Sequence, residues 1–161
     1  MDNADSFIQL VQHPVKFRLF LLSKLPSAFF CGVRVKNISK EKAAVTVPYK
    51  WLSKNPFKST YFACLAMAAE MSTGLLSMMN TYKRQPTISM LVTGLEAAYF
   101  KKATGITTFI CEDGNAIRNT IEEAIQSGEG KSIKAKSTGC NDEGELVAEF
   151  FITWSFKVKS S

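Results

Sequence analysis

The chain is short of the residues on which most readily recognised chemistry is built. Its 161 residues hold a single histidine, His13, placed in an N-terminal helical stretch, so a Ser–His–Asp triad has no support. The four cysteines, Cys31, Cys64, Cys111 and Cys140, form no CxxC spacing and none stands beside His13, so no metal is expected. Neither G-x-G-x-x-G nor a P-loop occurs, which removes the common phosphate-cradling loops. No run of five like charges occurs and the basic residues look scattered, so a nucleic-acid partner is not expected. Internal repeats, low-complexity tracts and linkers are also lacking, and the length suits one domain with a full core. The first residues are acidic (Asp2, Asp5) and lack the basic-then-apolar order of an export signal. With no disulfide framework either, a reducing cytoplasm is the expected location.

What is present begins with charge. The formal net charge is +6 and the pI about 9.2, with 46% hydrophobic and 21% charged residues. That balance suits an anionic partner, or no more than solubility. The longest apolar stretch lies within residues 55–80, NPFKSTYFACLAMAAEMSTGLLSMMN, and contains one carboxylate, Glu70. Glu70, Ser72, Thr73 and Gly74 stand at its centre, where a charge in lipid is expensive, so no membrane span is expected. A helix of about 20 residues, some 30 Å long, is expected instead, enclosed by other structure because apolar residues fall on nearly every face. Ser59 or Thr60 is its expected cap.

The rest of the chain divides around that helix. Residues 3–25 carry apolar positions at helical spacing: Phe7, Ile8, Leu10 and Val11, then Val15, Leu19 and Leu22. Pro14 should start a second segment and Pro26 end it. Residues 29–39 alternate with period two, as do 41–49, with 37–40 as a turn, so a hairpin is expected. Residues 87–103 read as a long strand with a bulge at Gly94. Residues 115–127 place Ile117, Ile121 and Ile125 on one helical face, closed by Gly128. KSIKAKS reads as a basic, exposed strand and GCNDEG as a turn. The final strand points Leu146, Ala148, Phe150, Ile152, Trp154, Phe156 and Val158 one way. The expected fold class is α+β: one antiparallel sheet around one central helix, in a single domain.

This order resembles the hotdog fold, a curved antiparallel sheet wrapped around a long central helix. Here it would carry a helical leader at 1–26 and a core at 27–158. The region around the helix is similar to the PaaI-like acyl-CoA thioesterases, whose Asn-x-x-Gly-x-x-His-Gly-Gly loop precedes a helical Asp or Glu fifteen residues after the Asn. Asn55 and Glu70 keep that spacing. Tyr99, Phe100, Lys101, Lys102 and Ala103 fill the places of that family's later strand segment. The chain resembles still more the uncharacterised DUF4442 branch, through its Asn-Pro-Phe loop, its helical Glu and its Trp154-x-Phe156-Lys157 ending. The His-Gly-Gly entrance is missing: Tyr61, Phe62 and Ala63 stand there, and Lys58 replaces the first glycine.

The resemblance implies thioester hydrolysis of an acyl-CoA, with coenzyme A entering as part of the substrate and no separate cofactor. Glu70 would act as general base or nucleophile and Asn55 would orient substrate. The N–H groups at the helix start, over Thr60, Tyr61, Phe62 and Ala63, would hold the oxyanion beside Ser59. Lys101 and Lys102, with Lys83 and Arg84, would meet the phosphates. A homodimer or dimer of dimers is implied, joined through the last strand or the 87–103 strand. Two other readings stay open. Glu70 is also read as a structural acid with a paired partner, and Asn55 as an ordinary turn residue. A non-catalytic acyl-CoA or fatty-acyl binding protein fits the missing glycines.

Overall fold

The computed structural model describes residues 2–159. Three short helices lead the chain: α1 (Asn3–Gln12), α2 (Lys16–Lys24) and α3 (Pro26–Cys31). Asp2 opens α1 by accepting from the Ala4 N–H, and His13 Nδ1 accepts from the N–H groups of Val15 and Lys16 just ahead of α2. In and just before α2 the apolar positions picked out by spacing are not the buried ones. Phe17 and Leu21 are buried, whereas Val15, Leu19 and Leu22 face solvent. The segment is apolar on both sides, so periodicity alone did not choose between the two stripes. Pro26 also does more than stop a helix. It holds the first position of α3, where its missing N–H costs nothing, so 29–31 are helical and the leader runs on to Cys31. Gly32, in the left-handed region with φ 83°, closes α3 and releases the chain into the sheet.

Six strands form one antiparallel sheet: β1 (Arg34–Ile38), β2 (Ala43–Val47), β3 (Ile88–Tyr99), β4 (Thr107–Cys111), β5 (Lys131–Cys140) and β6 (Leu146–Val158), in the order β1-β2-β4-β5-β6-β3. α4 (Phe62–Thr81) lies between β2 and β3 in sequence and packs on β2, β4, β5 and β6. α5 (Gly114–Ser127) joins β4 to β5, with Ile117 and Ile121 fully buried and Gly128 left-handed at its end. This is the hotdog arrangement of a curved sheet around a central helix.

By length and composition α4 is apolar enough to cross a membrane, but 67% of its most apolar window is buried inside the fold. Its small polar residues are the reason it fits there. Ser72 Oγ bonds the Ala69 carbonyl at 2.7 Å and the Ser137 hydroxyl of β5 at 2.8 Å, and Trp154 Nε1 of β6 donates to Thr73 Oγ1 at 2.8 Å. Buried polar groups are thus satisfied by bonds that also dock helix on sheet. Phe109, Phe150 and Phe156 complete the core without exposure.

The two sheet edges differ. β1 is covered by the leader, with Arg18 Nη1 donating to the Val33 carbonyl at 3.2 Å and Gln12 Nε2 to the Ile38 carbonyl at 3.4 Å. β3 is a 12-residue edge with no such cover among the described residues, and Leu91, Leu95 and Tyr99 are 64, 49 and 48% exposed along it. Its register slips between Val92 and Gly94, placing the expected bulge at Thr93. β6, expected at a subunit contact, is an interior strand between β5 and β3. β5, expected as a basic, exposed strand, is interior in the sheet but keeps Lys134 and Lys136 on its exposed face, where they pair with Glu96 of β3, two strands away, and Glu149 of the adjacent β6.

Candidate functional site

The loop before α4 builds one wall of a cleft of about 520 Å³. Asn55 organises that loop. Its Oδ1 accepts from the N–H groups of Phe57 (2.9 Å) and Ser59 (3.2 Å), and its Nδ2 donates to Ser59 Oγ (3.1 Å). The side chain expected to orient substrate is thus spent on its own turn, and it acts by shaping the cleft wall. Ser59 is not a helix cap either. It is buried and bonded to Asn55, while Thr60 fastens the loop to the segment between β3 and β4 through Oγ1 and N–H bonds to the Ala103 carbonyl.

α4 therefore starts one residue later than a Thr60 cap would set it, with Tyr61 as a cap that contributes no side-chain bond. Of the four N–H groups expected to hold an oxyanion, two are spent: Thr60 on Ala103 O at 2.8 Å and Tyr61 on Ser53 O at 2.7 Å. Among the described residues the N–H groups of Phe62 and Ala63 find no acceptor. They are the orphan donors that a helix start presents. Phe62 is 56% exposed, and its ring meets Tyr61 edge-on at 4.9 Å, flanking these donors.

Opposite stand Tyr99 and Phe100 at the end of β3, followed by Lys101 and Lys102. The cleft thus gathers Asn55, Ser59, Thr60, Tyr61, Phe62 and both lysines, as expected, although Ala63 is absent from its lining. Phe57, Tyr99 and Phe100 were noted only as part of the family resemblance and Leu65 not at all; none was expected to line a site. Their signal was an aromatic cluster near each end of two distant segments, which no one-dimensional spacing connects. Lys101 is held by Glu145, and Lys102 Nζ donates to the Phe57 carbonyl at 3.2 Å, so both ammonium groups are engaged at the rim. Lys83 and Arg84 stand past the far end of α4, where Arg84 grips Glu122 at 2.6 Å, so they do not reach the cleft of their own chain.

Glu70 stands apart from all of these. It faces a smaller cavity of about 230 Å³ between α3 and α4, with Leu25, Pro26, Ser27, Met67 and Met71 around it and Lys24 at its rim. Among the described residues its carboxyl has no hydrogen-bond or ion-pair partner, and burial pushes its pKa up. A Cβ on Gly74 would lie 3.1 Å from Glu70 Oε1 and 3.3 Å from the Trp154 ring, so glycine there gives the carboxyl its space. Glu70 is eight residues along α4 from Phe62, about 12 Å at 1.5 Å per residue. One carbonyl cannot touch both within one chain.

No curated protein sequence matches the chain. Among solved structures it is similar to PA5026 from Pseudomonas aeruginosa, a protein of unknown function given as "Probable Thioesterase" (18% identity, 91% of this chain and 97% of that one, TM-score 0.75). It is also similar to a protein of unknown function from Chlorobaculum tepidum (17% identity, 97% and 94% covered, TM-score 0.74). Thioesterase HI1161 from Haemophilus influenzae shares 12% identity over 88% of this chain and 87% of that one, with a TM-score of 0.62. At these identities the likeness establishes the fold. Residues 15–156 match the model of a domain of unknown function, and the chain belongs to that family, DUF4442.

Proposed function

We propose that the protein hydrolyses an acyl-CoA thioester at a site completed by two copies of the chain. The observation that carries the reading is Glu70, the one charged side chain of core helix α4, without a partner among the described residues and held above the usual carboxylate pKa by burial. A base whose pKa is raised toward neutrality is matched to removing a proton from water. Glu70 would take that proton as the oxygen adds to the thioester carbonyl, and the sulfur would leave with a proton on collapse of the intermediate. Direct attack by the carboxylate, with water then cleaving the acyl-enzyme, uses the same residue. The N–H groups of Phe62 and Ala63 would hold the oxyanion, and the aromatic cleft beside them would take the acyl or pantetheine arm.

The separation of about 12 Å between Glu70 and these donors favours a site assembled across a homodimer, with Glu70 from one copy and the helix start from the other. The uncovered β3 edge, with its exposed Leu91, Leu95 and Tyr99, is where a second copy would add its own β3. A dimer of dimers could be built on that pair.

A second reading, binding of acyl-CoA or a fatty acyl group without turnover, is favoured by one observation. The Tyr61 and Phe62 rings crowd the oxyanion donors where glycine would leave an open approach. Hydrolysis assays over short, medium, long and aromatic acyl-CoAs, with wild type and Glu70→Gln in parallel, separate the two. The hydrolase reading expects turnover with at least one class and a loss of about 100-fold or more in the variant. Saturable binding without product in either protein would establish the second reading instead.

A further inference from the structure

Judged by run length, the basic residues look dispersed. Counted by segment they are not: residues 6–69 hold ten Lys and Arg against one acid, Glu41, a net of +9, and the rest of the chain is net −3. Part of this excess converges on a cleft of about 310 Å³ where the end of α1 and the start of α2 meet β1. Arg18, Arg34, Lys36 and His13 line it, and no Asp or Glu does. Its floor is apolar, with Val11, Phe17 and Leu21 buried beneath the cations.

The cleft is built, not merely decorated. Arg18 is fixed by its bond to the Val33 carbonyl at 3.2 Å and by stacking 4.1 Å above the Phe29 ring. The β1–β2 register slips between Val35 and Asn37, so Lys36 occupies the bulge, a device that re-aims a side chain. Arg34 and Lys36 make no ion pair among the described residues. Asp2 and Asp5, at the start of α1, are both taken by Lys40, and Glu112, which shares with Lys36 a separate cavity beside β2 and β4, does not line this one. Burial, and then the charge of Arg34, hold the Arg18 pKa below its ordinary value, as expected for like charges kept together without a counter-ion.

We infer that this cleft binds the phosphate group of an organic phosphate. Two guanidinium forks and an ammonium match a dianionic phosphate better than a singly charged carboxylate, and the apolar floor suits a ligand with an organic portion. The site is independent of the thioesterase reading, since β1 and β3 lie at opposite edges of the sheet. The phosphate could belong to a soluble monoester or to a lipid headgroup.

Amide chemical-shift titrations of the full chain with glycerol 3-phosphate and with inorganic phosphate test this. Co-sedimentation with phosphatidylcholine vesicles, with and without phosphatidic acid, separates the two sources. Saturable shifts are expected at His13, Arg18, Arg34 and Lys36. The double variant Arg34→Gln/Lys36→Gln should bind about 100-fold more weakly, roughly tenfold per charge. Its thermal midpoint should stay at or above that of wild type, because both residues are exposed and removal of Arg34 relieves repulsion on Arg18. Lys157→Gln/Lys159→Gln, at exposed positions away from the cleft, should bind like wild type. Sedimentation dependent on phosphatidic acid and lost in the double variant assigns the phosphate to a lipid; saturation by the soluble ester alone assigns it to a free metabolite. No saturable shift or sedimentation with any probe, or unchanged affinity in the double variant, overturns the inference.

Discussion

At the scale of single residues, Glu70 carries both the proposed chemistry and a cost. Its folded pKa is raised, so in the pH interval between its unfolded and folded values the folded protein binds the proton more tightly than the unfolded chain does. Stability from this group is therefore greatest in acid and falls as pH rises through the ordinary carboxylate range to the raised folded value. Glu70→Gln removes that fall. At neutral pH the variant should melt about 2–4 °C above wild type while losing hydrolysis, and thermal melts across pH check it. A variant less stable than wild type at neutral pH would mean that a partner for the carboxylate exists in solution. The cysteines make a second residue-scale prediction. Burial holds the thiols of Cys64 and Cys111 up to about 12, so both should resist alkylation at pH 8 under native conditions and react once the chain is unfolded. Mass spectrometry of labelled peptides reads the result directly.

At the scale of elements, much was legible and the failures have identifiable causes. β6 announces itself through the alternation from Ala148 to Phe156, and α5 through its isoleucines and Gly128, because each buries one face only. α4 was legible as an enclosed helix from its apolar faces and small residues. α2 was not, because both of its sides are apolar and the choice of face depends on where β1 and α3 lie. Strand position in the sheet was equally hidden: β5 read as a basic, exposed strand and β3 as a long alternating one, yet the first is interior and the second an edge. Asn55 and Glu70 were found by spacing along the chain. That they line different cavities is a fact of helix length that spacing does not convey. The open β3 edge yields the element-scale prediction. Leu91→Lys/Leu95→Lys places two charges on an exposed apolar strand without touching the core, so the thermal midpoint should change little. Association should weaken about tenfold or more, as measured by sedimentation equilibrium.

At the scale of the whole molecule, the fold separates its chemistry into regions. The acyl-sized cleft lies at the start of α4 beside the end of β3, Glu70 lies further along the same helix, and the basic cleft lies at the opposite sheet edge. A single copy holds the proposed oxyanion donors and the proposed base about 12 Å apart, so in this reading hydrolysis depends on assembly. The most direct measurement is complementation between two inactive dimers. Glu70→Gln removes the base, and Ala63→Pro removes a donor at a first-turn position where proline is tolerated. Each variant alone should be inactive. Mixed and exchanged in equal amounts, half of the dimers should be heterodimers with one intact site, restoring roughly a quarter of wild-type hydrolysis. No recovery from folded, exchanging dimers would contradict a site shared between two copies.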